Sequence, residues 1–206
     1  AASDVYKRQV NNYPKLGEFT ISPEGINQLG NAICYTGGIM NERGIFQMLE
    51  VLPIANMRLH LAGTFAPKSL REQVISHPSW SYVIDYGFLK REHLSQIFCN
   101  SIAGLILFHP ISNHVNSQPN KLFEYMSAGL PVVASDFLLW KDIIENINCG
   151  ICVDPLNSNE IAEALIWLHE NPHEAKAMGE RGAKAIRDKY NWEQESIHLI
   201  LSLIHI

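Results

Sequence analysis

Residues 120–135 read NKLFEYMSAGLPVVAS, and this stretch decides the fold. Leu122, Phe123 and Met126 recur at spacings that give a helix an apolar face. The helical pattern stops at Ala128-Gly129, where glycine can take the left-handed conformation that ends a helix. Pro131 then opens a β-branched run, Val132-Val133, closed by Ala134-Ser135, which reads as a buried strand. A short helix with one acid, Glu124, therefore feeds a strand. A carboxylate near a helix start, preceded by a lysine, suits a ligand that carries hydroxyls and phosphates.

Outward from this unit, strand-like and helix-like runs alternate. Strands are expected at 33–36, 57–62, 82–84, 103–108, 132–134 and 151–153. Helices are expected at about 43–52, 67–76, 91–99, 138–146 and 158–169, with Ser158 as the cap of the last. A final helical pair spans about 172–190 and 193–203, and a long loop runs from His109 to Pro119. This alternation implies βαβ units: an α/β, Rossmann-like parallel sheet of about six strands with helices on both faces. Right-handed crossovers set the loops after the strands along one edge, where ligands of such sheets bind.

The chain has 206 residues, 47% of them hydrophobic and 18% charged, the balance of a globular protein with a substantial core. Its net charge of −5 disfavours broad nucleic-acid binding. No apolar run is long enough to span a membrane. Cys149-Gly150-Ile151-Cys152 has redox spacing, but the second cysteine falls inside the strand-like GICVDP. Buried small hydrophobes are favoured for both, in a reduced cytoplasmic setting. With no second cysteine pair, a zinc site is not expected. The opening SDVYKRQ and the closing LSLIHI resemble translated sequencing-adapter DNA. The expected organisation is a non-native start over 1–9, a leading linker over 10–31 and one domain over 32–192. A C-terminal helix follows over 193–206, its last residues non-native.

Several residues could carry chemistry. Gly37-Gly38 follows the first strand and Arg43-Gly44 opens the next helix. A glycine turn lets backbone amides approach an anion, and Arg43 can add a bidentate contact to phosphate. The segment matches neither GxGxxG nor a Walker loop, and a tight turn with a solvated arginine stays open. Lys121 and Glu124 stand three apart on one helical face. They form either a surface ion pair or a site in which Lys121 meets phosphate and Glu124 accepts from a ribose diol. His109 and His114 are not spaced as a helical metal pair, and structural roles are favoured for both. Asn116, Ser117 and Gln118 either bond ligand hydroxyls or shape the loop. Asp85, Asp136 and Asp142 read as strand-end and helix-start residues, and Trp140 and Trp167 as core or groove fillers.

Three stretches together resemble the C-terminal domain of group-1 (family-four) retaining glycosyltransferases of the two-domain GT-B type. They are ICYTGGIMNERGI; RLHLAG followed by YVIDYGFLKREHLSQIF; and AGLILFHPISNHVNSQPNKLFEYMSAGLPVVAS followed by CGICVDPLNSNEIAEAL. The resemblance covers roughly residues 10–195. It implies an α/β domain that binds a nucleoside diphosphate sugar and stabilises the departing diphosphate without a metal ion or other cofactor. Of the family's pair of glutamates eight positions apart, the second falls on Glu124, which would hold the donor ribose. The first falls on Asn116, which with Ser117 would lie near the sugar but cannot stabilise positive charge. The lysine of the family's phosphate clamp falls on Arg43. Its arginine falls on Gly38, so the resemblance leaves Lys121 to compensate. Gly37 and Gly38 would shape the phosphate loop.

The resemblance also implies a missing N-terminal acceptor domain and a role in polysaccharide or glycoconjugate synthesis. The full-length enzyme would be cytoplasmic, with room for peripheral association at the inner face of the membrane. Two rivals remain at this level: a sugar-nucleotide epimerase of related architecture and a non-catalytic nucleotide-binding module.

Overall fold

In the computed structural model, residues 10–19 and 30–204 are described. The expected non-native residues 1–9 and the final two residues lie outside that set, as does most of the second half of the leading linker.

Six strands form one parallel sheet: β1 (Ala32–Thr36), β2 (Arg58–Ala62), β3 (Val83–Asp85), β4 (Gly104–Ile106), β5 (Val132–Ser135) and β6 (Gly150–Val153). Their spatial order is β3-β2-β1-β4-β5-β6. Successive residues of β1, β4 and β5 are all buried, so both faces of the sheet centre are covered. The helices are α1 (Ile45–Ala55), α2 (Leu70–Ile75), α3 (Leu94–Cys99), α4 (Ser112–Val115) and α5 (Asn120–Ser127). After them come α6 (Leu138–Ile147), α7 (Ser158–Glu170), α8 (Pro172–Asp188) and α9 (Trp192–Ile204). α1 packs on α7, and α5 on α8.

The strand order reverses between β1 and β4. In open sheets of this type, the crevice outside the strand ends at that reversal is where ligands bind. The loops after β1 and β4, and α5 itself, all reach this point.

Three details differ from the expectations. Asn157, not Ser158, caps α7: its side chain accepts from Glu160 N–H, while the Ser158 hydroxyl donates to Glu50. Asparagine one position earlier has the extended backbone that a cap needs. The loop from His109 to Pro119 contains a helical turn, α4, because Ile111 carbonyl accepts from His114 and Val115 N–H. The helix expected from Arg43 starts at Ile45, after left-handed Gly44.

Other readings hold. Gly129 has φ 72° at the end of α5. Trp140 and Cys149 are fully buried, whereas Cys152 is only partly so. Residues 10–19 lie against the domain. Tyr13 packs edge-on to Phe123, with ring centroids 4.7 Å apart, and Phe19 is fully buried beside Phe98. Pro14 carbonyl accepts from Trp192 N–H at the start of α9.

Candidate nucleotide-sugar site

The position of α5 follows from a missing side chain. A Cβ on Gly104 of β4 would stand 2.3 Å from the Tyr125 ring, so only glycine lets α5 settle on the strand. The Tyr125 hydroxyl then accepts from Thr36 N–H at 3.1 Å, tying α5 to the end of β1. Burial pushes that phenol well above its ordinary pKa and keeps it neutral. With Tyr125 fixed, the preceding Glu124 and the lysine one turn back are delivered to the reversal of strand order.

The β1 loop is shaped to receive them. Gly37 has φ 116°, a conformation side chains rarely adopt, and a Cβ there would stand 2.6 Å from Lys121 Nζ. A Cβ on Gly38 would lie 2.9 Å from Arg43 Nη1. Both glycines therefore make room for a cation. Gly38 carbonyl accepts from the Tyr35 hydroxyl at 2.6 Å and from Arg43 at 3.4 Å. The loop after β4 is pinned on its other side. Trp140 Nε1 donates to Ser117 carbonyl at 2.6 Å, and the Ser135 hydroxyl donates to Phe108 carbonyl at 2.8 Å. His109 N–H donates to Glu42 carbonyl, and its ring pairs with Gln47 at 2.9 Å. Those contacts give His109 a structural role.

Two clefts open at this edge, and Lys121 lines both. One, of about 300 Å³, is lined by Thr36, Gly37, Phe88, Arg91 and Glu124 among others. The second, of about 720 Å³, is lined by Arg43, Phe108, His114, Ser117 and Gln118 among others. Lys121 is largely buried, with its ammonium 5.3 Å from the Tyr35 ring centroid and 5.8 Å from that of Phe108. Burial, reinforced by the Arg43 charge, pulls its pKa down to about 8, against a smaller opposing pull from Glu124. Lys121 and Glu124 do not pair with each other. Glu124 Oε1 accepts from Arg91 Nη1 at 2.8 Å.

Among the described residues, three buried side-chain polar atoms have no partner: Thr36 Oγ1, Arg43 Nε and Gln118 Oε1. All three residues line these clefts. Buried polar atoms are nearly always bonded to protein, water or ligand, so their concentration here makes this edge the candidate binding site.

The structure thus brings Glu124, Lys121, Arg43, Gly37 and Gly38 together. Asn116 and Ser117 point elsewhere: Asn116 Nδ2 donates to Ser112 carbonyl at 3.0 Å and the Ser117 hydroxyl to His114 carbonyl at 3.2 Å. Ser117 still lines the larger cleft, whereas Asn116 lines a neighbouring one beside Asn11 and Tyr13. Sequence reasoning passed over Thr36 and Arg91. Thr36 was findable as the last strand residue before the glycine turn. Arg91 gave no signal, because its contact with Glu124 spans 33 positions. Among the described residues, no group of three or more His, Cys, Asp or Glu is placed to hold a metal ion. No helix among them is long and apolar enough to cross a membrane.

A Rossmann-like sheet with cations, glycines and the Glu124 carboxylate at its strand-order reversal has the architecture of nucleotide-binding α/β domains. The model of glycosyl transferases group 1 matches residues 18–185, and the chain belongs to that family. A phosphatidyl-myo-inositol mannosyltransferase from Mycobacterium leprae is 26% identical over an alignment of 178 residues that covers 82% of this chain and 45% of that protein. The chain therefore spans about half the length of this curated relative. Among solved structures, Anabaena HepE in complex with UDP aligns with a TM-score of 0.79 at 15% identity, covering 97% of this chain and 57% of that one. HepE with UDP-glucose gives the same TM-score at 14% identity, over the same shares of the two chains. The C-terminal domain of the group 1 glycosyl transferase LpcC from Francisella tularensis aligns at 0.64 and 19% identity, covering 87% of this chain and 96% of that domain.

Proposed function

We propose that this chain is the donor-binding domain of a retaining glycosyltransferase that takes a nucleoside diphosphate sugar and builds polysaccharide or a related glycoconjugate. Glu124 accepts hydrogen bonds from the donor ribose in the smaller cleft. Lys121 stands where the two clefts meet and takes the diphosphate together with Arg43. The sugar extends into the larger cleft, beside Ser117 and Gln118. An acceptor-binding domain, N-terminal in the longer protein, completes the site.

The observation that carries this reading is the near-buried Lys121 ammonium shared by two clefts, with the Glu124 carboxylate (beside Arg91) lining one and the Arg43 guanidinium (beside Glu42) lining the other. A nucleotide sugar has the same order of parts: a diol, a dianion and a ring of hydroxyls. As the glycosidic bond breaks, negative charge grows on the diphosphate. Fixed cations in a site partly shielded from water stabilise that charge more than mobile solvent does. No proton acceptor is required of this half for that task. The family to which the chain belongs, and the UDP and UDP-glucose held by HepE, support the donor class. Retention rests on the family resemblance.

The test is calorimetric titration of the chain with UDP and GDP. Binding is expected for at least one nucleotide, and Glu124→Ala should abolish it. A folded chain that binds neither, or a Glu124→Ala variant that binds unchanged, would refute the assignment.

A further inference from the structure

Glu124 and Lys121 present an unexpected arrangement. They are three apart on α5, a spacing at which opposite charges readily pair, and the lysine is nearly buried. A desolvated ammonium gains much from a carboxylate partner. Yet Glu124 turns to Arg91, and Lys121 lies against Gly37 and two aromatic rings.

Arg91 is itself held from the opposite side. Its Nε donates to Glu18 Oε1 at 2.6 Å, and its guanidinium carbon lies 5.1 Å from the centroid of the buried Phe19 ring. Glu18 and Phe19 belong to the segment ahead of the domain, which is docked on α5 and α9 through Tyr13 and Pro14. One guanidinium thus bridges the leading segment and the carboxylate of the site. The planar fork of arginine suits two carboxylates at once, which a lysine ammonium at that position does not.

We propose that Arg91, anchored by Glu18, is a positioning residue: it holds Glu124 off Lys121 and leaves both groups open to a nucleotide. This rests on the reading of Glu124 as the ribose acceptor. Oε1 is committed to Arg91, and the carboxylate keeps further acceptor sites for a ribose hydroxyl. Without Arg91, Glu124 closes onto Lys121, and a nucleotide must first break that pair. The leading segment and the nucleotide site are then coupled through Arg91, which itself lines the smaller cleft.

Two readouts test this. First, crystal structures of the chain with Arg91→Ala should show a Glu124 carboxylate oxygen within ion-pair distance of Lys121 Nζ. A carboxylate that stays in place overturns the proposal, whether or not any nucleotide binds. Second, UDP and GDP titrations should show Arg91→Ala weakening binding about tenfold, the size of one charge-assisted hydrogen bond. Arg91→Lys should recover part of that loss. Glu18→Gln should weaken binding a few-fold in the wild-type background and not at all beside Arg91→Ala. Unchanged or tighter binding in Arg91→Ala would make Arg91 a bystander or a competitor and overturn the proposal. If the wild-type chain binds no nucleotide but Glu124 still moves, the bridge stands and the ribose reading falls.

Discussion

The smaller cleft and the larger one meet at Lys121 but differ in how their polar groups are satisfied. In the smaller, the principal polar group is already satisfied: Glu124 bonds Arg91, Arg91 bonds Glu18, and the network reaches the leading segment. In the larger, two polar atoms are buried without partners, Arg43 Nε and Gln118 Oε1, against one, Thr36 Oγ1, in the smaller. The contrast suggests a division of labour. A satisfied carboxylate is rigid and can specify one geometry for a ribose. Unsatisfied donors and acceptors are poised for a ligand whose charge changes during reaction. Lys121 belongs to both clefts, and burial together with the Arg43 charge pulls its pKa down more than Glu124 raises it.

Changes at the carboxylate should break the comparison most severely. Glu124→Ala removes the ribose acceptor and leaves Arg91 with Glu18 as its remaining ion-pair partner. Nucleotide affinity should fall about 100-fold or more by calorimetry, with nucleoside and nucleotide affected alike. Lys121→Met should act differently. Diphosphate affinity should drop by roughly tenfold or more, while uridine or guanosine binds as before. The same variant should be more stable in thermal unfolding by about 1 kcal/mol, because a buried ammonium is replaced by an apolar side chain of similar length.

The Lys121 proton gives a third prediction, in which two signs oppose. Burial holds its pKa down at about 8 in the folded chain, against 10.5 for an ordinary lysine. Between those values the unfolded chain holds a proton that the folded chain lacks. Stability from this group therefore rises with pH across that window. UDP or GDP binding, which uses the cation, should instead weaken above about pH 8, by up to about tenfold per pH unit. Both trends should vanish in Lys121→Met. The smallest effect is expected at Gln118. Gln118→Ala should reduce affinity for a UDP- or GDP-sugar a few-fold and leave UDP and GDP unchanged, which isolates the larger cleft from the smaller.

Much of this was legible in the chain. The stretch 120–135 gives the α5–β5 unit because helix and strand periodicities change sharply at Gly129 and Pro131. Lys121, Glu124, Arg43 and the two glycines were visible because they lie on the two segments that parallel-sheet topology brings to one edge. The two readings left open for Lys121 and Glu124 resolve against a surface pair, since Lys121 is largely buried and Glu124 bonds Arg91. What was not legible is three-dimensional pairing. Arg91 reads as an ordinary helix-start cation, and only the packing of the segment after β3 beside α5 sets it against Glu124. The side-chain partners of Asn116 and Ser117, expected near the sugar, were not legible either: both bond carbonyls of the α4 turn. That turn was hidden because SNHV has little helical pattern of its own.

The central claim is that one ligand runs from Glu124, past Lys121, into the larger cleft. Crystals soaked with UDP- and GDP-sugars test it most directly. The expected result is a ribose within hydrogen-bond distance of Glu124, a diphosphate between Lys121 and Arg43, and a sugar ring beside Gln118. A nucleotide bound away from this edge, or one with its phosphates against Glu124, would contradict the account.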